Sequence, residues 1–174
     1  MAKRLRVNTD CSTYFLTFVV WRRAPVFGLS EFANVAISAL KFYVERQDFD
    51  LHGYVIMPDH FHLLLTAKSG VTPGRIVGRL KSYLAHVIAG DRSLSSCSEL
   101  RAFTTSPGWR LWVPRFDETT IRNLEMGSRC LDYIHQNPVR AGLVPTAIDF
   151  PYSSAYYYET EVLRPIDLTT VPLC

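Results

Sequence analysis

The chain has 174 residues, 48% of them apolar, and 19 Lys plus Arg against 16 Asp plus Glu, for a formal net charge of +3. A chain this long can bury a single core without disulfides or a structural metal, and the composition excludes disordered, collagen-like and coiled-coil classes. The longest apolar stretch, Tyr14 to Trp21, is broken by Thr17 and falls far short of the ~20 residues of a membrane helix.

No membrane association is therefore expected. Lys3, Arg4 and Arg6 precede that stretch, but the polar Asn8-to-Thr13 spacer and the following Arg22-Arg23 do not fit a signal peptide. Cys11, Cys97, Cys130 and Cys174 lie far apart with no C-x-x-C pair, which suits a reducing compartment and a cytoplasmic location. The net charge is segregated: residues 1–23 carry +4, 24–67 carry −3, 68–140 carry +5 and 141–174 carry −3. Two basic segments meeting on one face would form a phosphate-binding footprint, while ordinary surface scatter would not.

Tyr14 to Trp21 is aromatic and β-branched and runs into a turn-prone Arg-Arg-Ala-Pro, so it reads as a buried first strand. From Ser30, a candidate N-cap, Phe32, Ala36, Ala39, Leu40 and Tyr43 recur at helical spacing, and the helix should end near Arg46 to Asp48. Leu51 to Met57 and His60 to Ala67 form a hairpin about the tight turn Pro58-Asp59. Thr72-Pro73 opens a second helix reaching about Gly90, with Ile76, Leu80, Leu84, Val87 and Ile88 inward. Residues 91–109 read as a loop. Leu111-Trp-Val begins a short fourth strand limited by Pro114, and a third helix runs from about Asp117–Thr120 to Gln136, where Pro138 stops it. An aromatic run, Tyr152 and Tyr156 to Tyr158, precedes a polar tail.

This order predicts an α+β domain, a ferredoxin-like βαββαβ antiparallel sheet with helices on one face and an additional C-terminal helix. One domain covers 1–174, with its core at about 14–158. The face without helices is available for a ligand.

His60-Phe61-His62-Leu63-Leu64-Leu65 places both histidines on one face of a strand and Phe61, Leu63 and Leu65 on the other. Two histidines so spaced can reach one ion, or they can simply sit half-exposed on a sheet. Asp59 is either a third ligand or a turn residue, and the turn role is favoured. On the third helix Tyr133 and Asn137 are i and i+4 neighbours. They pair a nucleophile with an amide oxygen, or a core tyrosine with a helix-ending residue before proline.

Three separated patterns, Tyr54-Val-Ile-Met-Pro-Asp-His-Phe-His-Leu-Leu-Leu65, Leu111-Trp-Val-Pro-Arg-Phe116 and Tyr133-Ile-His-Gln-Asn-Pro-Val-Arg-Ala-Gly-Leu-Val144, resemble those of single-tyrosine HUH transposases, in particular the REP-associated (IS200-like) tyrosine transposases. Trp21-Arg-Arg-Ala-Pro-Val-Phe27 and Pro151-Tyr-Ser-Ser154 extend the likeness over residues 14 to 158. Two departures stand out: Asp59 lies where relatives often carry asparagine, and a tryptophan common before the final serines is missing.

The resemblance implies a metal-dependent enzyme that nicks and rejoins single-stranded DNA at hairpin-associated sites. Tyr133 is then the catalytic nucleophile of a 5′-phosphotyrosine link, and His60, His62 and Asn137 are ligands of Mg²⁺ or Mn²⁺. Single-stranded or hairpin DNA is the implied partner, and both monomeric and homodimeric arrangements fit. Arg22, Arg23 and Arg115, in segments that match the family, are candidate DNA contacts. By helical spacing Arg75 and Arg79 form with Ser82 and His86 a polar stripe on the second helix, which either lines a strand of phosphates or is simply a solvated face. The competing readings are a domesticated hairpin DNA- or RNA-binding module without strand transfer, and a phosphoesterase that uses water.

Overall fold

The computed structural model describes residues 12–90, 110–162 and 166; the loop expected at 91–109 and most of the polar tail lie outside them. Strand β1 (Ser12–Val19), helix α1 (Ser30–Glu45), the hairpin β2 (Phe49–Ile56) and β3 (His60–Ala67), helix α2 (Pro73–Gly90) and strand β4 (Asp117–Thr120) are followed by α3 (Leu124–Arg140) and the short α4 (Ala155–Thr160). The sheet has the antiparallel order β2-β3-β1-β4, so the ferredoxin-like α+β expectation holds.

Strand alternation, shifted in β2 by a bulge between Leu51 and Gly53, divides the side chains between two cores. Leu16 and Phe18 of β1, Phe61, Leu63 and Leu65 of β3, and Leu51, Tyr54 and Ile56 of β2 pack with the buried faces of α1 and α2. As expected, Ile76, Leu80, Leu84 and Ile88 point inward, and Thr72 Oγ1 accepts the Arg75 N–H at the start of α2. Ser30 opens α1 rather than capping it, since the flanking Leu29 takes the cap position.

The opposite face is not wholly free, contrary to expectation. Val55, Met57 and Leu64 meet Ile134 and Phe150 there, with Met126, Cys130 and Leu131 packed around them, so α3 lies across part of the sheet. Gly53 permits this approach: a Cβ at that position would overlap Leu131 Cδ1 and touch Ser154 Oγ at 3.5 Å. The obstacle is the flexible end of a side chain, so Gly53→Ala should destabilise by about 1–3 kcal/mol rather than abolish folding. Leu131→Ala should relieve the overlap, leaving the double variant less destabilised in urea melts than the two single losses added together.

Three boundaries differ from the sequence expectations. Leu111 and Trp112 are buried and make only an isolated bridge to Val20, while the fourth strand is Asp117–Thr120 paired with Thr17–Tyr14. Pro114 interrupts the backbone pairing, and the β-branched Thr119-Thr120 suits an exposed edge. The third helix consequently begins at Leu124, where Asn123 Oδ1 accepts the Met126 N–H at 2.9 Å. Pro138 does not stop it. The proline lacks one N–H, but Leu143 N bonds Pro138 O at 3.0 Å and Gly142 N bonds Val139 O at 2.9 Å. With Gly142 at φ 69°, these are the paired bonds of a glycine-terminated helix. Gly142 is thus the terminator, and Asn137 and Arg140 remain helical.

Among the described residues no helix is long and apolar enough to cross a membrane.

Candidate active site

His60 and His62 emerge on the α3 face of β3, their ring centroids 4.8 Å apart and their planes at 80°. Tyr133 comes down from α3 so that its ring meets His62 edge-on, centroids 5.2 Å apart. Phe15 of β1 stacks on His62 at 5.4 Å and touches the Tyr133 ring at 6.0 Å. The Arg140 guanidinium covers Tyr133 from the next turns of α3, 5.4 Å from the ring centroid. The tyrosine nevertheless remains 40% exposed, so it is open to solvent. Asn137, half-buried, occupies the i+4 position on the same helix face.

The histidines are held from behind. Thr17, opposite His62 in the β1–β3 register, bonds His62 Nδ1 at 2.8 Å, and Asp59 Oδ1 bonds His60 Nδ1 at 2.5 Å. Asp59 Oδ2 also accepts from Arg23 at 3.1 Å, so this carboxylate does more than shape the turn. Burial alone would raise its pKa; the hydrogen bond and charge of His60, then those of Arg23, outweigh burial and hold it below the usual range. For His62, burial first and then the nearby charges of His60 and Arg23 push the pKa down to about 3, against a smaller opposing effect of Asp59. The ring is therefore neutral at ordinary pH, the form that binds metals.

His62 Nε2 is buried and has no hydrogen-bond partner. A buried polar atom in that condition costs ~1–3 kcal/mol, and a cation would satisfy it. No group of three or more His, Cys, Asp or Glu converges on a metal-sized space among the described residues. If the two imidazoles held an ion, a further ligand would have to be of another type, and an amide oxygen is one that suits hard divalent ions.

Several segments meet at the same end of the sheet. Val20 N bonds Asp59 O, Phe27 N bonds Pro58 O, and Trp21 N bonds Leu111 O. Arg22 and Arg23 stand exposed there with left-handed φ of 57° and 54°; two adjacent non-glycine residues so held store strain, which structures tend to keep where it serves a site. Arg115 is exposed on the neighbouring segment, and the Arg110 guanidinium stacks 4.0 Å from the Trp21 ring centroid. Arg75 and Arg79 lie elsewhere, on α2, across the sheet from the histidines. Arg79 is paired with Asp48. Thr17, Phe15 and Arg110 lie outside the quoted motifs and Arg140 lies within the Tyr133–Val144 one, but the sequence singled out none of the four. Strand alternation places Phe15 and Thr17 on a common face, but only the register with β3 sets them against His62.

The segment 152–154 straps α3 to β2. Ile56 N bonds Tyr152 O and Ser154 N bonds Tyr54 O, while His135 Nε2 meets Ser154 Oγ at 2.9 Å. Burial pushes the His135 pKa down to about 4, against a smaller opposing effect of Asp132. An unfolded histidine titrates near ~6.5, so this contribution to stability is full above that pH and is lost as pH falls toward the folded value. Stability should fall by up to ~1.4 kcal/mol per pH unit in that window. His135→Gln should flatten the acid limb of a Tm-against-pH curve.

The sequence model of the family described as "Transposase IS200 like" matches residues 9–137. A REP-associated tyrosine transposase of Escherichia coli is 27% identical over 169 residues, 96% of this chain and 90% of that protein. A Haemophilus influenzae protein classed as a candidate REP-associated tyrosine transposase is 30% identical over 155 residues, 88% of this chain and 85% of its own. The solved structure of a REP-associated tyrosine transposase bound to a REP hairpin superposes with a TM-score of 0.68 at 24% identity, covering 98% of this chain and 93% of that one. The chain belongs to the IS200-like transposase family, and by that membership it is an enzyme of the tyrosine transposase kind.

Proposed function

We propose that the protein cleaves and rejoins single-stranded DNA at hairpin-associated sites, with Tyr133 as nucleophile and a divalent ion held by His60, His62 and Asn137. The observation that carries this reading is the contact of a solvent-accessible tyrosine ring with His62, whose buried Nε2 lacks a partner. The phenol oxygen of Tyr133 attacks the phosphorus of a phosphodiester, the bond from phosphorus to the 3′ oxygen breaks, and the phenol proton is made up on the departing 3′-hydroxyl. The product is a 5′-phosphotyrosine ester. Its bond energy is retained, so attack by a 3′-hydroxyl reverses the step and joins strands without a nucleotide cofactor.

When bound, Mg²⁺ or Mn²⁺ would supply Lewis-acid polarisation of the phosphoryl oxygens, and a mixed imidazole and amide set accommodates either ion. Phe15 and Arg140 hold the Tyr133 ring in place, and Arg22, Arg23, Arg110 and Arg115 surround that end of the sheet with positive charge for the phosphate backbone. Hairpin DNA as the partner is supported by the related transposase solved with a REP hairpin. The test is incubation with single-stranded hairpin DNA plus Mg²⁺ or Mn²⁺, read as a denaturation-resistant protein–DNA adduct. Binding without any adduct across several divalent ions would instead favour a binding module.

A further inference from the structure

We propose that Asp59 and Thr17 are positioning residues that lock His60 and His62 with the proton on Nδ1, so that both rings offer Nε2 to one point. The inference rests on the metal-dependent function proposed above. An ionised carboxylate has no proton to give. The bond between Asp59 Oδ1 and His60 Nδ1 therefore requires Nδ1–H on the ring, so that in the neutral imidazole the lone pair lies on Nε2. Arg23, bonded to the other oxygen at 3.1 Å, favours the orientation of the carboxylate toward the imidazole.

For His62 the hydroxyl of Thr17 could either give or accept, and the surroundings of the ring decide. Placing the proton on Nε2 would bury an N–H donor at an atom with no acceptor. Placing it on Nδ1 satisfies the donor at Thr17 and leaves only a lone pair for a cation. The perpendicular rings are then fixed by hydrogen bonds from two different segments: Thr17 on β1, and Asp59 in the turn entering β3. The two supports are unequal, because a hydrogen bond to a charged acceptor is roughly twice as strong as a neutral one.

Three measurements on the full chain test this. Nitrogen NMR of the metal-free protein at mildly alkaline pH should show Nδ1–H on both rings, whereas free imidazoles of histidine favour the other tautomer. Asp59→Ala should shift His60 to the Nε2–H form and weaken Mn²⁺ binding, read by calorimetry, by about 10–100-fold. Asp59→Asn, whose amide oxygen still accepts, should keep the tautomer and lose less. Thr17→Val should weaken binding by a smaller factor and Thr17→Ser should restore it, with circular dichroism confirming the fold of each variant. An Nε2–H tautomer on His60 in the unaltered protein, or unchanged Mn²⁺ affinity in a folded Asp59→Ala variant, overturns the assignment. If the unaltered protein shows Nδ1–H on both rings yet binds no Mn²⁺, the metal-dependent function fails while the positioning stands.

Discussion

Tyr133→Phe should eliminate the covalent adduct with hairpin DNA and reduce strand cleavage by on the order of 10⁴-fold or more, because the proposed ester forms on the phenol oxygen that this substitution removes. The expectation is sharp because the substitution removes one oxygen and little else. The ring contacts to His62, Phe15 and Arg140 depend on its face and edge, so the variant should fold with unchanged Tm and bind DNA normally. Adduct formation at full yield by Tyr133→Phe would sink the assignment. Within one chain Tyr133 already touches His62 of that same chain. A mixture of His60→Ala and Tyr133→Phe proteins should accordingly remain inactive; recovered activity would mean that the tyrosine helix serves a second molecule instead.

The next largest effects should come from the histidines, and they should differ in kind. His62 is 4% exposed and sits between Phe15 and Tyr133. His62→Ala should cost both metal-dependent cleavage, by about 10²–10⁴-fold, and stability, by roughly 2–4 kcal/mol through the cavity it leaves. His60 lies at the rim with its ring 14% exposed. His60→Ala should cause a comparable loss of cleavage with a much smaller fall in denaturation midpoint. Equal destabilisation by the two, with cleavage retained in either, would mean that the pair is structural.

The elements of the fold were readable where one local signal dominated. Alternation set the faces of β3, Thr72-Pro73 marked the start of α2, and the Pro58-Asp59 turn fixed the hairpin. The signals misled where two local preferences competed. Asp117-Glu-Thr-Thr has the composition of a helix start but pairs as an edge strand, because β1 offers an open edge there. Pro138 looks like a terminator, yet the bonds that close the helix belong to Gly142 and Leu143. Of the site, the motif residues His60, His62 and Tyr133 were legible and the structure brings them together. Phe15 and Thr17 were not, because they matter only through strand register, which no short window of sequence contains; Arg140, two turns beyond Tyr133 on the same helix, was within reach of helical spacing but was not singled out. Arg75 and Arg79 show the converse: helical spacing aligned them correctly with each other, but on the far side of the sheet from the tyrosine.

The strap formed by Ser154 has a consequence for how the enzyme comes into being. Ser154 joins Tyr54, 100 positions earlier in the chain, and holds the helix bearing Tyr133 through His135. Contacts between residues so far apart form late, since a long loop must close before they repay its entropy. During synthesis the histidine hairpin emerges and can pair well before the segment that fastens Tyr133 opposite it. A chain still on the ribosome thus holds its histidines without a seated Tyr133, and the proposed cleavage of DNA would become possible only once this strap closes.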